Sequence, residues 1–495
     1  MKWPRAAGIL LHPSSLPGPY GIGDLGPAAL QFLDQLAASG MKLWQVLPLG
    51  PTGYGNSPYA LVSAFAGNPL LVSPDRLVED GLLTPTDIAA TPAESTRRVN
   101  FARVVPWKSE LLRLAHRRYL GGAARALRPE FEAFRATHRA WLDEYTLYTA
   151  LKSAHDGAAW VEWDSALSRR APAALASANA RLRDERDYHA FAQFLFFRQW
   201  AALRRAAGER GVHIIGDLAI FVAHDSVDVW ANPELFRLDE RGWPEVVAGV
   251  PPDYFSATGQ RWGNPLYHWD TLKQTGYAWW IDRVRQALAL NDYIRLDHFR
   301  GFHAYWEVPA SCPTAAEGRW ARGPGDELFH AIRAALGDVP FIAEDLGVIT
   351  PGVRALRRRL RFPGMKVMQF GFSGDSGNIH LPHHYTLETI VYTGTHDNDT
   401  TRAWFASLSE CERSRALEYL DCAPRDLVWK MIRSALASVA NLAVIPLQDA
   451  LELGSEGRMN QPSRPDGNWE WRLRDGEFSP AIVERLATYT SLYGR

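Results

Sequence analysis

Cysteine is scarce in this chain: three among 495 residues, at Cys312, Cys411 and Cys422. An odd number with no Cys-x-x-Cys pair supports neither a disulfide framework nor a zinc knuckle, so a reducing compartment is the simpler expectation. Long hydrophobic runs are missing too. No uninterrupted apolar stretch reaches about 18 residues, the length a spanning helix needs. The apolar segment 6–11, behind Lys2 and Arg5, is cut by Pro13 before it attains the length of a signal-peptide core, and no export signal is read there. These absences predict a cytoplasmic protein. An excess of one charge is also lacking: 54 Lys and Arg against 55 Asp and Glu leave a formal charge of −1. Polyanions meet no attracting field, so neither nucleic acid nor a membrane surface is an expected partner.

Aromatic residues are plentiful. The 19 Trp, 17 Tyr and 21 Phe exceed what closing a core of this size requires, and part of them is expected to line a binding cleft. With 46% hydrophobic and 22% charged residues, the rest of the composition is that of a globular protein with a large core.

Eight short apolar runs end in polar or charged clusters, and most are followed by helix-like segments: 8–11, 42–47, 213–217, 292–297, 341–344, 366–370, 389–393 and 442–446. That alternation marks parallel βα units, and eight of them predict an α/β protein with a (β/α)8 TIM barrel. An open doubly wound sheet stays possible, because counting strands does not show closure. In either architecture ligands sit beyond the carboxyl ends of the strands. The chain 1–495 is thus expected to be a single barrel with two insertions. Residues 74–211, between the second and third strands, open with a linker-like stretch at 83–98 and turn mainly helical after Val105. Residues 221–270, after the third strand, hold Pro, Gly, Trp and Asn without a sustained period and predict a loop-rich insertion over the strand ends.

Carboxylates at the strand ends carry the chemical signal. In Ile294-Arg295-Leu296-Asp297 the period of two turns Arg295 and Asp297 to one face, and a guanidinium beside a carboxylate keeps it ionised, as a nucleophile needs. In Ala343-Glu344-Asp345 the two acids point to opposite faces, and periodicity does not choose between them. Asp217 closes the third strand, and Thr395-His396-Asp397-Asn398 follows the seventh. Any one such acid alone reads as a helix N-cap or a structural ion pair. Four converging on one rim point instead to glycosidic chemistry, which uses one ionised and one protonated carboxyl. The segment 221–270 adds Trp230, Trp243, Tyr254, Phe255, Trp262, Tyr267 and Trp269, interleaved with Asp253, Gln260 and Asn264; rings stack on sugar faces, while amides and carboxylates pair with hydroxyls. Asn460-Gln461 and Gly467-Asn468-Trp469 offer the same mixture, although some of these aromatics serve only packing.

Three patterns are set aside. Gly21-x-Gly23-x-x-Gly26 resembles a dinucleotide fingerprint, but it is too far from the preceding strand and reads as a turn. Arg354, Arg357, Arg358, Arg359 and Arg361 read as a solvated helix face. His224-Asp225 and Asp228 show no repeating ligand spacing, so no metal is expected.

The motifs resemble those of the amylomaltases, the 4-α-glucanotransferases or disproportionating enzymes of the α-amylase clan. The likeness runs from His12-Pro13-Ser14-Ser15-Leu16-Pro17 to Gly467-Asn468-Trp469. It includes Gly53-Tyr54-Gly55-Asn56-Ser57-Pro58-Tyr59, Gly249-Val250-Pro251-Pro252-Asp253-Tyr254-Phe255, Gly259-Gln260-Arg261-Trp262-Gly263-Asn264-Pro265 and Arg295-Leu296-Asp297-His298-Phe299-Arg300-Gly301. The resemblance implies a (β/α)8 barrel with inserted subdomains and no C-terminal β-domain. It implies Asp297 as nucleophile, Glu344 as acid/base and Asp397 as a third acid steering the distorted sugar. Substrate contacts implied by it, or placed beside them, are Tyr59, Asp217, Asp253, Phe255, Gln260, Trp262, Arg295, His298, His396 and Asn468. The expected substrates are α-1,4-glucans and malto-oligosaccharides, with glucose as an acceptor, and the expected reaction is a retaining double displacement without a cofactor. An amylase-type hydrolase is the nearest alternative, and a non-catalytic glucan-binding scaffold a more distant one.

Overall fold

The computed structural model describes residues 3–92, 97–252, 256–462, 464 and 466–495. Each of the eight apolar runs contributes a strand: β1 (Ala6–Leu10), β2 (Leu43–Gln45), β3 (His213–Leu218), β4 (Tyr293–Leu296), β5 (Phe341–Ala343), β6 (Gly364–Val367), β7 (Thr389–Tyr392) and β8 (Leu442–Pro446). They close into a barrel in chain order, every pairing parallel, with β8 returning to β1. All residues of β1, β2, β5, β7 and β8 are buried, which is why their sequences run apolar without alternating. The sixth strand lies earlier than its apolar run suggests. Met368–Phe372 is a mostly buried 3₁₀ turn, so the apolar run continues after the ladder has ended. β5 and β6 meet only at Ala343 and Gly364, and there the Asp345 carboxylate accepts the Met365 N–H at 2.7 Å in place of a further ladder bond.

Between β2 and β3 the chain forms the helices Phe101–Leu120, Arg128–Ala154, Pro172–Arg181 and Arg183–Glu209. The first begins at Asn100, whose side chain accepts from the Arg103 N–H, and continues through Pro106. Tyr119, Phe131, Phe191 and Phe194 interlock where three of these helices meet. Helix Arg183–Glu209 also packs on the barrel. Its Gln193 amide both donates to and accepts from the backbone of Gly67, and Gln199 does the same with Ser73, so two side chains imitate a strand partner for the loop after β2.

The segment after β3, expected to be a loop-rich insertion, also contains regular structure. Val246–Val250 and Gln260–Pro265 are strands, and with Ala304–Pro309 and Arg319–Arg322 they form an antiparallel four-stranded sheet beside the barrel mouth. Gly249, Gly263 and Pro265 interrupt the apolar alternation, and the register shifts between Val247 and Gly249, so no period of two survives in the sequence. Among the described residues, the chain after β8 holds helices and turns but no strand.

Candidate active site

Register builds the site. Asp217 of β3 pairs with Arg295 of β4, and parallel neighbours in one row point the same way, so both side chains enter the barrel. Arg295 Nη1 lies 2.6 Å from Asp217 Oδ2 and its Nη2 lies 2.9 Å from Asp297 Oδ1. Burial opposes the charge of Arg295, but the two carboxylates outweigh it and hold its pKa well above the usual value. One guanidinium thus spans two acids at the floor of the cleft, which leaves the other Asp297 oxygen, Oδ2, outside the ion pair. Burial raises the pKa of Asp217 despite the neighbouring arginine.

The ladder runs one residue past each strand: the Asp297 N–H donates to Leu218 and the Glu344 N–H to Leu296. Next to Asp297, His298 takes a left-handed conformation at φ 48°, uncommon without glycine. That turn aims its N–H at Glu344 Oε2, 2.7 Å away, while the Leu346 N–H reaches Oε1 at 2.8 Å. Glu344 is half-buried. Enclosure in the cleft and the negative charge of Asp297 raise its pKa to about 7, against the pull of Arg295. Asp345 turns away, to Arg357 at 3.1 Å and the Met365 N–H. The acid facing the mouth is therefore Glu344. Arg357, read from sequence as part of a solvated helix face, instead contributes to this inner ion pair.

From the opposite wall, the Tyr59 hydroxyl donates to Asp217 Oδ2 at 2.7 Å. Its proton being spent there, the bond of 2.9 Å to His396 Nε2 needs a proton on that nitrogen, which fixes the Nε2–H form of the imidazole. The two rings stack at 5.3 Å, with Trp469 tilted against both. Asp397 is half-exposed; Asn460 Nδ2 donates to its Oδ1 at 2.7 Å and Arg458 to its carbonyl. Asn398 accepts from the Thr395 N–H and hydroxyl, which fixes the turn carrying His396 and Asp397.

Asp217, Asp297, Glu344, Asp397, Arg295, Tyr59 and His396 are thus brought to one mouth. His298 lies in it with its buried Nε2 unpaired, and burial lowers its pKa to about 4. Trp262 meets the His298 ring edge-on at 4.9 Å and donates from Nε1 to Gln260 Oε1 at 3.1 Å. Asn468 is turned into its own loop: its Oδ1 accepts the Gln461 N–H, and its Nδ2 donates to the carbonyls of Gln461 and Arg464. Asp253 and Phe255 lie outside the described residues. Arg458 and His12 escaped the sequence reading as site residues. His12 is buried behind His396 with an unpaired Nδ1, and its place in the Pro-rich motif at the end of β1 was the available signal. Among the described residues, no group of three His, Cys, Asp or Glu side chains is arranged to hold a metal ion.

A family model described as 4-alpha-glucanotransferase matches residues 11–478. The chain belongs to that family. It is 52% identical over 494 residues to the 4-alpha-glucanotransferase of Thermus thermophilus, covering 98% of both chains, and 50% identical over 495 residues to that of Synechocystis sp., covering 99% of this chain and 98% of the other. Among solved structures, the amylomaltase from Streptococcus agalactiae in complex with acarbose superposes with a TM-score of 0.96 at 38% identity, covering 99% of each chain. Members of this family are 4-α-glucanotransferases, and the enzyme has their (β/α)8 barrel.

Proposed function

We propose that this enzyme disproportionates malto-oligosaccharides by a retaining double displacement at the mouth described above, with Asp297, Glu344 and Asp397 as its three acids. Asp297 Oδ2 attacks the anomeric carbon of an α-1,4-linked donor, and the bond to the leaving O4 breaks as Glu344 gives that oxygen its proton. The leaving glucan departs with a free 4-hydroxyl, and the sugar stays esterified to Asp297. A second glucan, or glucose, then loses its 4-hydroxyl proton to the Glu344 carboxylate while its oxygen takes the anomeric carbon and frees Asp297. Asp217, Arg295, Tyr59, His298 and His396 orient the reacting sugar, with Gln260 and Trp262 on the strand that borders it. The observation that carries this reading is the pair Asp297 and Glu344: one carboxylate is held by Arg295 at 2.9 Å, while the other keeps its proton up to a pH of about 7. Transfer prevails over hydrolysis when the acceptor is positioned and water excluded, a matter of the walls rather than of the acids. The three cysteines are unpaired and the charge is balanced, which supports a cytoplasmic enzyme acting on neutral sugars rather than on nucleic acid or membranes.

Incubation with maltotriose tests this. Glucose and longer maltodextrins appear at constant reducing ends if the reading is right; a rise in reducing ends makes the protein a hydrolase, and no change makes it a binding scaffold. Asp297→Asn is expected to abolish turnover and spare glucan binding.

A further inference from the structure

The chain around the two central acids leads to an exposed ring that the reading above leaves unused. Phe299, two residues after Asp297, donates its N–H to the Glu344 carbonyl at 3.1 Å, which locks the two strand-end loops together. Arg300 follows. It is buried, and its Nη1 donates to the carbonyl of Val348, four residues beyond Glu344, at 2.6 Å. Its guanidinium lies 3.8 Å from the centroid of the Trp320 ring. Trp306, directly opposite Trp320 in the antiparallel register, meets that ring edge-on at 5.1 Å. Trp320 is therefore braced on one face by a cation and along an edge by a second indole, yet 43% of it stays exposed, and Val348 on the other side of Arg300 is 67% exposed. A tryptophan that merely packs the sheet would not need a buried arginine to back an open ring. Braced open rings beside a cleft suit the apolar faces of sugars.

The position selects the occupant. Glu344 protonates the leaving oxygen and later takes the acceptor's proton, so the space on its side of the cleft is where leaving and accepting glucans lie. Arg300 and Val348 are joined to the Glu344 loop, and Trp320 is joined to Arg300. We propose that Trp320, backed by Arg300, is a stacking platform for an α-1,4-glucan acceptor that extends beyond its first sugar, and that it sets the preference for long acceptors over glucose. The inference rests on the transferase reading.

α-Maltosyl fluoride charges the enzyme without filling the acceptor side, because its leaving group is fluoride. Transfer from it to glucose and to maltotetraose is measured in wild type, Trp320→Ala and Trp320→Phe. The alanine variant is expected to raise KM for maltotetraose about tenfold, the loss of one ring contact, with kcat at saturating acceptor and the glucose KM within twofold of wild type. The phenylalanine variant should stay near wild type. An unchanged maltotetraose KM, or equal changes for both acceptors, overturns the platform and leaves the transferase reading standing. If wild type transfers to neither acceptor and releases fluoride only to water, the transferase reading falls and the platform with it.

Discussion

At the scale of single residues, Glu344 depends on its surroundings for its role. Enclosure and the Asp297 charge hold its proton to a pH of about 7, whereas two backbone N–H donors and Arg295 favour the carboxylate. Glu344 must be protonated when it meets the donor. Activity in kcat/KM is therefore expected to fall as pH rises through about 7, and Glu344→Gln should remove that limb along with about 10²–10⁴ of the rate. An alkaline limb unchanged in position in Glu344→Gln would assign it to another group. Sequence alone brought Arg295 and Asp297 to one face, and the ion pair at 2.9 Å is what that period implies. Periodicity did not separate Glu344 from Asp345, and only the family resemblance singled out Glu344, because in the fold that choice is made by Arg357 and Met365, partners distant in the chain. Nor could the sequence show that the Asn468 amide is engaged by its own loop.

At the scale of elements, the docking of helix Arg183–Glu209 on the loop after β2 rests on a close fit. A Cβ at Gly67 would stand 1.9 Å from Phe196, a fully buried ring stacked parallel to Trp200. Gly67→Ala is expected to cost about 1–3 kcal/mol, read as a lower urea midpoint, with the transfer reaction intact while the protein is folded. A midpoint equal to wild type would mean that the ring gives way freely. The barrel strands were legible because parallel strands buried on both faces leave continuous apolar runs. The antiparallel sheet at the mouth was not, since its four strands are short, three of them are interrupted by glycine or proline, and they come from segments up to dozens of residues apart. Trp320 lies in that sheet, so its setting was hidden from the sequence as well.

At the scale of the whole molecule, buried neutral histidines set the acid side of stability. Burial lowers the pKa of His12 to about 3, with His396 adding to it, and that of His380 to about 4, where Nδ1 also accepts the Val367 N–H. In the unfolded chain each titrates near 6.5. Below that value the unfolded state binds protons that the native state refuses, so stability is full above about 6.5 and declines as pH falls toward 4, by at most about 1.4 kcal/mol per pH unit for each group. Urea melts at pH 7 and 5 are expected to lie closer together in His12→Asn than in wild type; an identical spacing would remove His12 from the account. The closed sheet itself is uneven. Seven of its seams are laddered, and the eighth, between β5 and β6, is bridged by one residue pair and the Asp345 side chain, with Gly364 leaving room for that carboxylate. A barrel fastened in this way has a fault line, and amide exchange would open there first. Glu344 and Asp297 stand together on the same side of the fault, joined through the β4–β5 ladder and His298, while Asp397 stands across it. Breathing of the barrel thus leaves the spacing of the reacting pair fixed and is taken up by the third acid, the one that must follow a sugar as it changes shape.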